Sequence, residues 1–196
     1  MEASSQIWFM PILVWVAALV FAGFAIWRGP RPLSRGFIID RLLRYVFLFP
    51  LGMQSLWAFI GHVFFPEEAA AVIGWTPSPF QYEIGVANLG LGLASIYAAF
   101  SSFQARVAAG IMAVCFLLGA GIGHVRDIME AGNLAPGNAG PIMITDFLTP
   151  IAVVVLLFAA VRKPKSSTTI ALEAELRVAR KALRDYRSAL DGFGRD

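Results

Sequence analysis

The chain has two histidines, and both sit in the same tetrapeptide: Ile60-Gly61-His62-Val63 and Ile122-Gly123-His124-Val125. Each is followed by an acidic stretch and then by an apolar segment with one early carboxylate, Glu83 in the first case and Asp146 in the second. The offsets are 21 residues from His62 to Glu83 and 22 from His124 to Asp146. A mixed imidazole–carboxylate set suits a divalent transition metal, with His62 and His124 as nitrogen ligands, or a small polar ligand. Two histidines facing each other across helices also serve as axial haem ligands. The same groups can instead be structural: a histidine at a helix end is often a hydrogen-bonded or interfacial residue, and Glu83 suits a first helical turn. Asn88, Gln81 and Asp127 join the layer if the segments are helices, with Asn88 one to two turns below Glu83 and Asp127 just above His124.

Those segments are spans. Of the 196 residues 58% are hydrophobic and only 15% charged, and the mean hydropathy is +0.67. Soluble domains have about 25% charged residues, so a soluble enzyme, a disordered chain and a disulfide scaffold are excluded together. A bilayer needs about 20 apolar residues per helix. Five stretches meet that length: Ile7 to Trp27, Tyr45 to Phe65, Gln81 to just before Arg106, Val107 to Val125, and Pro141 to Val161. Pro11, Pro50 and Pro150 fall inside spans and predict modest kinks. Gly119 and Gly123, with Gly85, Gly90 and Gly92, predict close helix approach.

Charge gives the orientation. Arg28, Arg31, Arg35, Arg41 and Arg44 separate the first two spans, Arg106 lies between the third and fourth, and nine basic residues follow the fifth. The opposite loops, 66–80 and 126–140, hold Arg126 with Glu67, Glu68, Asp127 and Glu130. Fifteen of the sixteen basic residues thus share one side, which the positive-inside rule makes cytoplasmic. The expected fold is an all-α integral membrane protein with five transmembrane helices, N-terminus outside and C-terminus inside. Its core would be two parallel-related helical hairpins. The pI near 9.4 therefore reports topology, and nucleic acid is not a partner. The histidine layer falls in the outer half of the membrane, where ionisable groups face a bundle interior or a water-filled cavity. Trp75 reads as an interface anchor or a cover for it, and the loop Gly132 to Pro141 as a lid or as tight turns, which its glycines and asparagines suit.

Beyond Pro164 the composition turns polar. Ser166 to Thr169 offer N-caps, with Glu173 and Glu175 in the opening turns. Leu172, Leu176, Ala179, Leu183, Tyr186 and Leu190 recur at spacings of four and three, a short coiled-coil seam. Arg177, Arg180, Lys181, Arg184 and Arg187 cover the other faces. This helix predicts either attachment to the anionic inner leaflet or association, with itself or another subunit, through Leu172, Leu176, Leu183 and Leu190. The organisation expected is an N-terminal span (1–28), a four-helix membrane core (36–162) and a cytoplasmic helix (166–192).

No phosphate loop, paired CxxC or serine–histidine elbow is present, and the single Cys115 lies mid-span. Arg41-Leu42-Leu43-Arg44 opening a span, Gly61-His62 with Pro66 closing it, and Glu83 beginning a glycine-rich span resemble the DoxX-like superfamily of four-helix bacterial membrane proteins. Ser78-Pro79-Phe80-Gln81-x-Glu83-Ile84-Gly85-x-Ala87-Asn88-Leu89-Gly90 and the Asn133-to-Pro141 loop look more like a family of small prokaryotic membrane proteins of unknown function. The resemblance runs from about Gly36 to Val161 and implies a prokaryotic inner membrane. Three functions follow as expectations: a non-catalytic subunit of a larger membrane complex; outer-face binding or transport of a small ligand or divalent metal; and a redox role with haem or quinol, which DoxX-like analogy implies.

Overall fold

The computed structural model describes residues 9–161 and 167–193. Ile7, Trp8, Arg162, Lys163, Lys165 and Ser166 lie outside them, as do the side chains of Thr168, Thr169, Glu173 and Leu190. All regular structure among the described residues is helical. The chain forms two units, Met1–Ala160 and Val161–Asp196.

In the first unit, α1 (Met10–Trp27) is followed by one continuous rod: α2 (Arg35–Val46), a π-helical segment (Phe47–Met53) and α3 (Gln54–Phe64). The π-helical segment contains Pro50. Proline has no N–H to give the carbonyl four residues back, and the wider turns absorb the mismatch without ending the helix. The rod begins ten residues before Tyr45, because Ser34 caps it, accepting from the Phe37 amide at 3.2 Å. Among the described residues four helices are long and apolar enough to cross a membrane: Met10–Trp27, Arg35–Phe64, Phe103–Ala131 and Pro136–Ala160. α5 (Pro79–Ala99) has the length, with 21 residues. Gln81, Tyr82, Glu83 and Asn88 dilute its apolar character.

The segment 66–80, expected as a loop, contains α4 (Pro66–Ile73). Pro66 opens it, Glu67 and Glu68 occupy its first turn, and Gly74 closes it at φ +81°, a conformation that only glycine adopts without strain. α6 runs past Val125 to Ala131 (Phe103–Ala131) and stops at Gly132, φ +65°. The short turn α7 (Pro136–Ala139) then leads into α8 (Pro141–Ala160). α3 packs on α5, and α6 on α8; α5 also contacts α6, and α2 contacts α8. The core gathers Leu43, Phe47, Leu51, Leu91, Ala113 and Val153. α1 belongs to this body: Val14, Ala18 and Ala22 are buried, and the Trp15 indole donates to Thr149 Oγ1 of α8 at 3.1 Å.

Close approach uses different glycines from those expected on α6. A Cβ at Gly119 or Gly123 would meet nothing within 4 Å, whereas at Gly121 it would lie 3.0 Å from the Phe147 ring. Gly85 and Gly92 of α5 do sit against α3, and Gly90 does not. Cys115 is exposed on α6.

The second unit holds α9 (Ser167–Phe193), 27 residues long. Leu172, Leu176 and Leu183 are each about half exposed along it.

Candidate functional site

The C-terminal end of α6 and the N-terminal end of α8 bring His124 and Asp146 together. Gly121 lets the helices meet there, since a Cβ on it would be 3.3 Å from Asp146 Cβ. His124 is 7% and Asp146 4% exposed, and His124 Nε2 lies 3.5 Å from Asp146 Oδ2. This is a contact longer than the ~2.9 Å of a typical N–H···O bond.

The other ring nitrogen is fixed. His124 Nδ1 is 2.6 Å from Asn138 Oδ1. Asn138 donates from Nδ2 to the Asn133 carbonyl at 2.9 Å and to the His124 carbonyl at 3.5 Å, which sets the orientation of its amide. Its Oδ1 can only accept, so Nδ1 of His124 has a hydrogen. In the neutral ring Nε2 is then a bare lone pair facing a carboxyl oxygen. Two lone pairs opposed in a buried site repel, and one proton between Nε2 and Oδ2 removes the conflict. A hydrogen on either atom would make this contact a hydrogen bond.

A lid of hydrogen bonds covers it. The Trp75 indole stacks on the His124 ring, centroids 6.2 Å apart and planes 18° apart, and Trp75 Nε1 donates to Asp127 Oδ2 at 3.1 Å. Asn133 Nδ2 reaches the same oxygen at 2.6 Å and the Ile73 carbonyl at 2.9 Å. It thereby ties the end of α4 to the end of α6. α7 fits beneath α4 because residue 137 is glycine; a Cβ there would be 2.7 Å from the Val72 carbonyl oxygen.

Asp146 also lines a small cavity with Pro11, Trp15, Pro50, Gln54 and Thr149, of about 10 Å³, room for a single water. Pro150 follows Asp146 by four residues in α8, so the Asp146 carbonyl lacks its usual donor four residues on. Both amide atoms of Gln54 are buried without a partner.

The other residues singled out above lie apart from this pair. Glu83 is exposed on α5 and forms no ion pair among the described residues. His62 sits on α3 with its Nδ1 buried and unpartnered, beside Gly85, where a Cβ would be 3.2 Å from His62 Cβ. Asn88 is buried and donates to its own helix, at Ile84 O, 2.9 Å; Gln81 donates to Pro66 O at 2.6 Å. The two halves differ in which face carries the carboxylate: Asp146 is buried on α8, whereas on α5 Glu83 and its neighbour Ile84, which stands at the matching offset of 22 from His62, are both exposed. Among the described residues no three His, Cys, Asp or Glu side chains are grouped to hold a metal ion. Asn133 and Asn138 were not foreseen as ligands of the histidine layer, although two asparagines among the loop's glycines signalled a turn with side-chain partners.

A second polar cluster lies at the opposite end of the bundle. Arg106, 6% exposed, donates to the carbonyls of Ala98 at 3.2 Å and Ala99 at 3.0 Å and to Asp40 Oδ1 at 2.8 Å. It closes the C-terminal end of α5, where unpaired carbonyls collect.

No curated protein and no solved structure matches the chain. Residues 8–166 match a family of unknown function, DUF6790, and the match takes in α1, which was expected to stand outside the shared region. The chain belongs to that family.

Proposed function

We propose that this chain is a non-catalytic, five-span inner-membrane protein whose working element is the lidded, proton-sharing pair His124–Asp146 in the outer half of the bundle. The pair takes up and releases one proton. The observation that supports this is the ring held by Asn138: with Nδ1 committed, Nε2 and Asp146 are the atoms of the pair left to take up a proton. The adjoining cavity of about 10 Å³ favours a proton or a water over an organic ligand. Two groups at hand, rather than three or more, favour it over a metal. The count of five rests on α5, whose 21 residues span about 31 Å at 1.5 Å per residue, enough for a ~30 Å hydrocarbon core. The distribution of basic residues supports N-out, C-in.

Trp75, stacked on His124, is the reporter. Tryptophan emission of the purified protein should show one pH transition that is lost in Trp75→Phe and in His124→Gln and altered in Asp146→Asn. An emission that is unchanged with pH wherever the protein stays folded would refute the proposal.

The leucine seam of α9 favours one extension: the protein works as a subunit of a larger assembly, held through this helix. Stoichiometric partners should then co-purify in mild detergent and be lost on deleting residues 166–196; a solitary chain contradicts it.

A further inference from the structure

The cluster around Asp40 holds more positive charge than it can use. Three guanidiniums surround one carboxylate: Arg106 at 2.8 Å on Oδ1, and Arg41 at 3.1 Å and Arg44 at 3.8 Å, both on Oδ2. Arg106 is spent, because its remaining donors close α5. Arg41 and Arg44 share a single oxygen atom, and one of the two is at the outer limit of an ion pair. Two positive charges are left over. A carboxylate oxygen at 3.8 Å holds a guanidinium only weakly, so Arg44 retains most of its hydrogen-bonding capacity.

Both side chains are held in place. The Arg41 guanidinium lies 4.9 Å above the Phe37 ring and that of Arg44 5.6 Å above Phe100, a stacking open to a planar cation. The Nε atom of each is buried, Nη2 of each is turned toward Asp40, and about a quarter of each side chain is exposed. Two oriented guanidiniums one turn apart match the oxygens of a phosphate, which accepts planar, bidentate hydrogen bonds.

Their depth selects the source of that phosphate. The rod Arg35–Phe64 has 30 residues, about 45 Å of helix against a hydrocarbon core of ~30 Å. Some ten residues therefore lie outside the hydrocarbon, and the charged ones, Arg35, Asp40, Arg41 and Arg44, are all at the α2 end. This puts Arg41 and Arg44 at the level of lipid headgroups.

We propose that Arg41 and Arg44 form a binding site for the phosphate of one anionic phospholipid, with Asp40 and Arg106 as the scaffold that keeps the two guanidiniums apart and oriented. The site is independent of the His124–Asp146 pair.

Native mass spectrometry of the detergent-solubilised chain tests it, with phosphatidylglycerol, phosphatidylcholine or inorganic phosphate added. The wild type should retain one phosphatidylglycerol per chain in preference to phosphatidylcholine. Arg41→Gln/Arg44→Gln should weaken that binding about 100-fold, which is about 2.8 kcal/mol and matches the loss of two charge-assisted hydrogen bonds. Arg28→Gln/Arg35→Gln, which removes the same charge outside the cluster, should lose no more than a few-fold. Arg41→Lys/Arg44→Lys, which keeps charge and fold but not the planar donors, should fall between. Equal losses in the two glutamine variants would reduce the site to diffuse attraction and overturn the proposal. So would full binding in the lysine variant, or displacement of the lipid by millimolar free phosphate.

Discussion

Replacing Arg106 by methionine removes one side chain and three interactions at once. The methionine fills much of the same volume, so the change is read in polar partners rather than packing. Two of those partners, the carbonyls of Ala98 and Ala99, end α5 in a buried corner, and a hydrogen bond from a charged donor contributes about 1.5–3 kcal/mol. The third is Asp40, whose side chain is 36% exposed and keeps Arg41 and Arg44 as neighbours. Its loss is therefore discounted to the surface range, up to about 1 kcal/mol. Because the Ala98 carbonyl keeps the Ser101 amide as a donor at 3.2 Å, the total is about 2–4 kcal/mol. Lysine retains the charge but cannot reach three acceptors in a fork, so Arg106→Lys should recover less than half. Denaturant unfolding in mixed micelles gives the number, with Arg126→Met as control. The Arg126 side chain is 73% exposed and pairs only with Glu130, and its loss should stay within about 0.5 kcal/mol. A cost below 1 kcal/mol for Arg106→Met would refute the assignment of Arg106 as the clasp of α5, as would equal costs for Arg106→Met and Arg126→Met.

Two further outcomes follow from the lid. Gly137→Ala drives a Cβ into the Val72 backbone at 2.7 Å, where no flexible side chain can yield. It should cost about 1–3 kcal/mol and change Trp75 emission, whereas Gly119→Ala, with open space around it, should be neutral or stabilise by up to about 1 kcal/mol; both are read in the same unfolding experiment. Asn138→Leu keeps the volume but leaves His124 Nδ1–H and the Asn133 carbonyl without partners. It should destabilise by about 2–4 kcal/mol and abolish the pH transition in Trp75 emission.

Much of the architecture was legible because apolar length and proline position act locally. The helices fall close to the expected spans, and each of Pro11, Pro50 and Pro150 lies within a helix. Helix ends were less legible: Ser34 and Ser102 each cap a helix by accepting from an amide three residues on, and such caps extend helices into stretches that read as linkers. The repeat of Ile-Gly-His-Val pointed to two matching histidine–carboxylate sets, yet only His124 meets its carboxylate. Sequence spacing gives depth along a helix, while rotation about its axis depends on which small residue allows contact: Gly121 in one half, Gly85 in the other. The Asp40–Arg106 pair, 66 residues apart, carried a faint signal, one acid among five arginines and one arginine between the third and fourth expected spans. Charge counting for orientation absorbed both.

In the proposed function His124 keeps a hydrogen on Nδ1 and exchanges one on Nε2 with Asp146. Because the chain has two histidines, His62→Asn leaves His124 alone, and nitrogen NMR of a histidine-labelled His62→Asn protein in lipid reads both ring nitrogens directly. Nδ1 should stay protonated across the whole pH range while Nε2 alone changes, and Asp146→Asn should alter the Nε2 signal and leave Nδ1 in place. A ring protonated on Nε2 with Nδ1 bare, or an Nε2 signal indifferent to Asp146→Asn, would overturn the proposed proton-sharing pair.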